Sequence, residues 1–379
     1  MNDRHQKDAT PFSSNAERLS VREWFGLLLV LIVLGVLAGP IWRRIEMFEP
    51  SPNYRIPYEL SEDYWLFERF CRGAGESEKS FIIGDSFVWG QYVDKSETLS
   101  SFLNQQSGSE RFVNAGLDGS HPLALEGLIK HYCTGLRNRN VVVHLNLLWV
   151  SSPEADLRLE RGFSFNHPRL VPQFVPTIPS YEAPISEKMG IALARLVPVP
   201  DWSRHIQSAY FSNFDLPRWT LDNPYRNPLR QITGRLPEPT NNPHPNAEAW
   251  FVDGATLQAP PWVDVEKSLQ WRAFQRLVGT LRARGNSVFI LVGPLNEHML
   301  EPSSVARYRG ILVQVESWLN DHNLPYYIPP VLPSDLYADM SHPLGEGYEI
   351  LAGALWGELE LTSGSARLRE RGQALLFTQ

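Results

Sequence analysis

Residues 24–42, WFGLLLVLIVLGVLAGPIW, carry no charged side chain and form an almost wholly apolar run. As a helix rising 1.5 Å per residue, about 19 residues cover nearly the ~30 Å hydrocarbon thickness of a bilayer. Trp24 and Trp42 stand at its two ends, where amphipathic rings favour the headgroup layer. The run therefore predicts a transmembrane anchor over 23–42, with everything after it folding on one side of a membrane. Arg4, Lys7, Arg18 and Arg22 precede it and Arg43 and Arg44 follow. That balance leans toward residues 1–22 as a cytoplasmic tail and toward export of the body, hence a single-pass protein of the cell membrane with an extracytoplasmic body. A signal peptide cleaved after 36–38 is the competing reading. Continuation of the apolar run past Ala38 favours a retained anchor.

The other 340 or so residues must supply a fold, since a domain typically takes about 100–200. The chain is 43% hydrophobic and 20% charged, as in globular proteins with a sizeable core. Its net charge of −7, without a Lys/Arg-rich tract, argues against a nucleic-acid partner. The two cysteines, Cys71 and Cys133, are too few for a disulfide framework or a cysteine metal cluster. Two buried thiols are the plainer reading, and one bridge the alternative if the body is exported. No histidine has a metal-type spacing such as H-E-x-x-H, so neither metal nor cofactor is expected.

Residues 43–77 read as a juxtamembrane connection. After them, short apolar runs at 80–85, 111–114, 141–148, 288–292 and 326–328 read as strands, the run at 141–148 apolar enough to be buried on both faces. Helical spacing fills the intervals, as in Leu269, Phe274, Leu277, Val278 and Leu281, or Val305, Tyr308, Leu312, Val315 and Leu319. Such alternation implies an α/β domain, a parallel sheet with helices on both faces. It is interrupted from 151 to 261, which holds more than half of the chain's 30 prolines and many aromatic residues. Proline at that density opposes long helices and central strands, so an irregular insertion is expected. The domain is placed over 78–362, and 363–379 is expected to be a frayed tail.

The chemistry starts at Gly84-Asp85-Ser86, a tight turn directly after the first strand. Serine needs a base to take its proton, an acid to orient that base, and donors for the developing oxyanion. Open α/β sheets gather ligands beyond the carboxyl ends of their strands. Asp339-Met340-Ser341-His342, between the last strand and the last helix, belongs to that same edge. Its spacing lets the carboxylate fold back on the imidazole, leaving Nε2 for the serine. Asp85 reads as a structural turn residue, because a carboxylate beside the nucleophile would oppose oxyanion formation. Asn296, Glu297 and His298 also reach that edge, to cap the following helix or to touch substrate.

FIIGDSFVWGQYVDKSETLSSFL and DMSHPLGEGYEILAGAL resemble the first and last blocks of SGNH/GDSL hydrolases. The resemblance implies a three-layer α/β/α, flavodoxin-like fold over roughly 78–150 and 263–360. It makes Ser86 the nucleophile, His342 the base and Asp339 the acid. The family's second block, N-x-x-x-x-G, is matched by Asn114 to Gly119, so the backbone amides of Ser86 and Gly119 become oxyanion donors. The third block, G-x-N-D, is missing. The strand runs into HLNLLW, where the aligned position falls on Leu148 and Asn146 lies two residues early. Asn146 is carried as the third donor.

A body of this kind on a one-span anchor is similar to accessory proteins of exported-polysaccharide O-acylation, which work beside multi-pass membrane acyltransferases. The expected function is acyl-ester hydrolysis or O-acyl transfer on an exported glycan through an acyl-Ser86 intermediate. A free-standing small-ester esterase or lipase, and a catalytically silent scaffold of a membrane complex, are the alternatives.

Overall fold

Five short runs of apolar residues pair into one parallel sheet: β1 (Ser80–Gly84), β2 (Phe112–Gly116), β3 (Asn140–Leu145), β4 (Ser287–Val292) and β5 (Tyr326–Tyr327). The order across the sheet is β2-β1-β3-β4-β5. The computed structural model describes residues 19–51, 53–75, 79–160, 166–197, 199–236, 242–252 and 254–376. Helices α1 (Val21–Ile45) and α2 (Tyr64–Gly75) precede the sheet, and α3 (Ser86–Trp89), α4 (Leu99–Ser107) and α5 (Pro122–His131) link its first three strands. Between β3 and β4 come α6 (Ile185–Ala194), α7 (Val199–Phe211), α8 (Leu216–Asp222), α9 (Pro228–Gln231) and α10 (Leu269–Ala283). α11 (Pro302–Asp321) leads to β5, and α12 (Gly345–Leu376) follows it.

The strands carry contiguous apolar residues because both faces of the sheet are covered. Alternation along each strand divides them. Ile82, Val142, Phe289 and Leu291 pack with Phe87, Leu99, Leu103, Tyr348 and Leu351 of α3, α4 and α12. Phe81, Ile83, Val143 and Ile290 face the other way, onto residues of α2, α5, α10 and α11. The chain is therefore an α/β protein with helices on both faces of a parallel sheet. With this order the connections from β1 and β3 leave toward opposite sides, so a crevice opens beyond their carboxyl ends.

Three segments depart from expectation. Residues 43–77 do more than connect: Tyr54, Ile56, Leu60, Tyr64, Phe67 and Phe70 are buried in the main core. The proline-rich insertion contains four helices, the longest of 13 residues. Prolines stand in the first turns of α8 and α9, where the missing N–H has no intrahelical partner to lose. The last helix runs past the expected boundary at 362 to Leu376, through a segment rich in the helix formers Ala, Leu, Arg and Glu.

α1 is long and apolar enough to cross a membrane. A buried polar joint locks its carboxyl end to the body. Glu46, which caps the helix, lies 2.9 Å from His205 Nε2 on α7, and Asp63 lies 2.6 Å from His205 Nδ1. Arg69 and Tyr210 also bond Glu46. Burial alone would strip the proton from His205, but Asp63 and Glu46 outweigh it and push its pKa up to about 9. The joint therefore holds an imidazolium between two carboxylates at neutral pH.

Candidate active site

β1 ends at Gly84, and Asp85 turns the chain into the four-residue helix α3, whose first residue is Ser86. Two features make the turn tight. Asp85 caps α3 by accepting the Phe87 N–H at 3.1 Å. Gly116, at the end of β2, lies so close under α3 that a Cβ there would sit 2.3 Å from the Trp89 nitrogen. Asn114 accepts the Gly116 N–H at 3.0 Å and donates to the Trp89 carbonyl at 3.4 Å.

The far end of α3 is held from the segment before the sheet. Arg55, fully buried, donates to the carbonyls of Trp89, Gly90 and Val93. Trp89 in turn donates its indole N–H to the Ile56 carbonyl at 2.7 Å. Nothing in the local sequence around Arg55 marked it for this task. Its partners lie more than 30 residues away, and only folding brings them together.

His342 approaches from the loop before α12. Its Nε2 lies 2.8 Å from Ser86 Oγ, across 256 positions of sequence. Its Nδ1 lies 2.8 Å and 2.9 Å from the two Asp339 carboxylate oxygens. Asp339 also accepts the backbone N–H groups of Ser341 and His342, at 2.8 Å and 2.9 Å. Burial opposes its charge, but His342 and these N–H groups hold its carboxyl below the usual range. Burial likewise opposes a proton on His342, yet Asp339 first, then Asp85 and Asp118, raise its pKa above the usual value. Ser86 and His342 are both largely buried, in the cleft that the strand order opens beyond the carboxyl ends of β1 and β3.

Asn296 secures this loop from beyond β4. Its side chain donates to the Asp339 carbonyl at 3.2 Å and its backbone N–H to the Met340 carbonyl at 2.8 Å. It neither caps the short helical turn Glu297–Met299 with its side chain nor stands free in the cleft. Position is what it supplies.

Gly119 lies beside the cleft at φ +67°, a conformation that favours glycine, and a Cβ there would meet Asn166 at 3.1 Å. The insertion pins this loop: His167 Nε2 lies 2.7 Å from the Asp118 carbonyl, with its Nδ1 2.9 Å from the Tyr64 hydroxyl. The Ser86 N–H, at the first position of α3, has no intrahelical acceptor available. Ser86 and Gly119 thus bring two backbone amides to the same edge, the Gly119 N–H donating to the Asp118 carboxylate. Asn146 reaches that edge too but is given different work. Its Nδ2 donates to Asp85 Oδ2 at 2.8 Å and its Oδ1 accepts the Leu148 N–H at 3.0 Å. The physical reason is Asp85, a buried carboxylate that must be satisfied.

Asp85 gathers four donors in all. His144 Nδ1 lies at 3.1 Å and the Trp149 indole at 3.3 Å, beside Asn146 and the Phe87 amide. Burial would raise its pKa, but His144 chiefly, with His342 and Asn146, brings it down to about 2. Asp85 therefore stays ionised next to Ser86, its carboxylate solvated by these donors instead of by water. One signal of this arrangement was present in the sequence: His144 is a polar residue set within the apolar run Val141–Leu145.

Tyr92 and Trp149, both partly exposed, border the cleft, the Tyr92 ring lying edge-on to His342 at 5.4 Å and packing on His244 at 5.0 Å. Burial and Asp339 push the Tyr92 hydroxyl up to about 12. Among the described residues no cluster of His, Cys, Asp and Glu is arranged to hold a metal ion. Cys71 and Cys133 are buried free thiols far from this chemistry in role, their Sγ atoms 2.9 Å apart behind the sheet. Compared with known proteins, the chain matches no family model and no curated sequence.

Proposed function

We propose that the chain is a single-pass membrane protein whose extracytoplasmic body is a serine acyl hydrolase or O-acyltransferase of the SGNH/GDSL type, acting on a cell-surface or exported glycan. The observation that carries this reading is the hydrogen-bonded run from Ser86 through His342 to Asp339, closed at 2.8 Å on each side. Such distances are those a nucleophile, base and orienting acid require. The three-layer sheet, with this run at its carboxyl edge, is consistent with the same family.

In the proposed reaction, Ser86 Oγ attacks the acyl carbonyl while His342 Nε2 takes its proton. The negative charge that builds on the carbonyl oxygen is met by the Ser86 and Gly119 backbone N–H groups. His342 returns the proton to the departing oxygen, leaving acyl-Ser86. A sugar hydroxyl or water, deprotonated by His342, then attacks the acyl carbon; the bond from that carbon to Ser86 Oγ breaks and His342 returns the proton to Ser86 Oγ. Asp339 keeps the imidazole in the tautomer that presents Nε2 unprotonated to Ser86. Tyr92 and Trp149 at the rim offer aromatic faces to a sugar ring.

The commitment of Asn146 to Asp85 favours a second reading, a silent scaffold, because one side-chain oxyanion donor is worth about 2.7–4 kcal/mol of barrier lowering. One experiment separates the two. The full chain in detergent is treated with a fluorophosphonate probe, whose phosphorus is attacked by an activated serine as fluoride leaves. An adduct mapped to Ser86 and abolished by Ser86→Ala and His342→Ala is expected. Folded protein that takes no label would remove the enzyme reading. Acyl transfer to a glycan acceptor, against release of the free acid, then distinguishes transferase from hydrolase.

A further inference from the structure

The body is not hung from the end of α1; it climbs alongside it. Gly35, Ala38, Gly39, Trp42 and Arg43 are the residues of α1 that are not fully exposed, and their spacing places them on one face. A Cβ on Gly39 would lie 3.8 Å from the Trp65 indole nitrogen, and one on Gly35 would lie 3.0 Å from a Val199 methyl group. Trp42 meets Trp202 and Tyr210 edge-on at 6.4 Å and 6.1 Å. The start of α7 therefore stands level with Gly35. Gly35 is seven residues before Trp42, or about 10 Å further along the helix axis. If Trp42 marks the headgroup layer, Val199 lies about 10 Å inside it, at the depth reached by interfacial helices.

The side chains around that point suit lipid. Leu193, Leu196 and Val197, just before Val199, are exposed, Leu196 at 79%. α8 and α9 expose Leu216, Leu221 at 80% and Leu229 at 76%. Both helices sit at the foot of α1, since Trp42 packs against the cluster of Tyr210, Phe211, Trp219 and Ile232, and the Met47 N–H donates to the Gly234 carbonyl at 3.0 Å. Residues 185–235 contain seven Lys/Arg against four Asp/Glu, a positive stretch in a chain of net charge −7. Apolar side chains with basic residues between them are the composition of a surface that enters a bilayer carrying anionic headgroups.

We propose that residues 185–235 form a second membrane-contact surface, continuous with α1, in which 193–197 enters the acyl region and α8 and α9 lie at headgroup depth. The partner is the lipid bilayer itself. The inference rests on reading α1 as a membrane span and on nothing in the candidate active site. Its consequence is that the body is held against the bilayer in one orientation rather than swinging on a tether.

The test uses the full chain in nanodiscs of phosphatidylcholine and phosphatidylglycerol. Native Cys71 and Cys133 are buried, so a nitroxide can be directed to Leu196→Cys, Leu221→Cys, Leu31→Cys within α1, and Val313→Cys on the exposed side of α11. Collisional access to oxygen against a water-soluble nickel chelate then reports depth. The expected result is a probe at 196 shifted to the oxygen-rich values of 31, a probe at 221 between, and a probe at 313 in water. A probe at 196 matching 313, while 31 is in lipid, overturns the proposal and indicates a surface facing water or a protein partner. Water access at 31 defeats the membrane-span reading and takes the proposal with it. The unmodified chain gives a second measurement that no folding defect can spoil. A photoactivatable diazirine in the lipid acyl chain should mark peptides from both α1 and 193–199, and marks confined to α1 overturn the inference.

Discussion

Replacing His205 by glutamine tests the joint between α1 and the body, because it removes a charge while keeping a polar side chain of comparable reach. In the folded chain the His205 proton is held with a pKa of about 9, against 6.5 for the free side chain. Raised affinity for the proton in the folded state means stability that is complete below the unfolded pKa and lost as pH climbs through the folded one. The shift corresponds to about 3 kcal/mol below pH 6.5, about 2 kcal/mol near pH 7.4, and almost nothing at about pH 10. In His205→Gln, Asp63 loses its imidazolium partner and Glu46 keeps only the Arg69 cation at every pH, but the wild type loses the imidazolium only on the alkaline side. Urea unfolding of the full chain in detergent, followed by tryptophan fluorescence, should show the wild type clearly more stable at neutral pH. The gap between the two proteins should then shrink by about 2 kcal/mol by about pH 10. A gap that stays constant across this range would mean that His205 stabilises by packing or as a neutral ring, and the argument from its two carboxylates would be refuted.

Asp339→Asn should slow fluorophosphonate labelling of Ser86 about ten-thousand-fold, since an amide holds the imidazole in the wrong tautomer. In the wild type, labelling should fall as pH drops through the His342 pKa, with a midpoint above the 6.5 of a free histidine; a midpoint at or below 6.5 would contradict the influence of Asp339. Gly116→Ala should cost roughly 3 kcal/mol, near the upper end of overpacking penalties, and reduce labelling by displacing α3; an unchanged melting point would show that the turn has slack. Mild oxidation should join Cys71 to Cys133 with a mass loss of two hydrogens, because closing their 2.9 Å separation to about 2.05 Å takes little movement. A bridge across these positions should add about 4 kcal/mol, and failure to lose mass would show the thiols held apart.

What the sequence revealed and what it hid divide along a physical line. β1 to β4 were legible because sheets covered on both faces demand contiguous apolar runs. That Ser86, Asp339 and His342 meet at one sheet edge was legible, because the position of each segment in the alternation fixes which edge it reaches. α6 to α9 were not, since proline density argues against helices in general but not against those that carry proline in their first turn. The work of Arg55, Asn296 and His205 was also hidden. Each satisfies partners on remote elements, and a buried polar residue gives no periodic signal before folding supplies its partner. Asn146 shows the same effect in reverse: its spacing suggested one task, and the need of Asp85 for donors gave it another.

Ser86 and His342 are separated by 256 positions, with the imidazole arriving only after β5. At a synthesis rate of about 5–20 residues per second, tens of seconds elapse between the emergence of the two groups. A partly made chain therefore carries the Ser86 hydroxyl long before it carries its imidazole partner. Under the proposed mechanism, the serine therefore stays unactivated until the segment carrying His342 has been made.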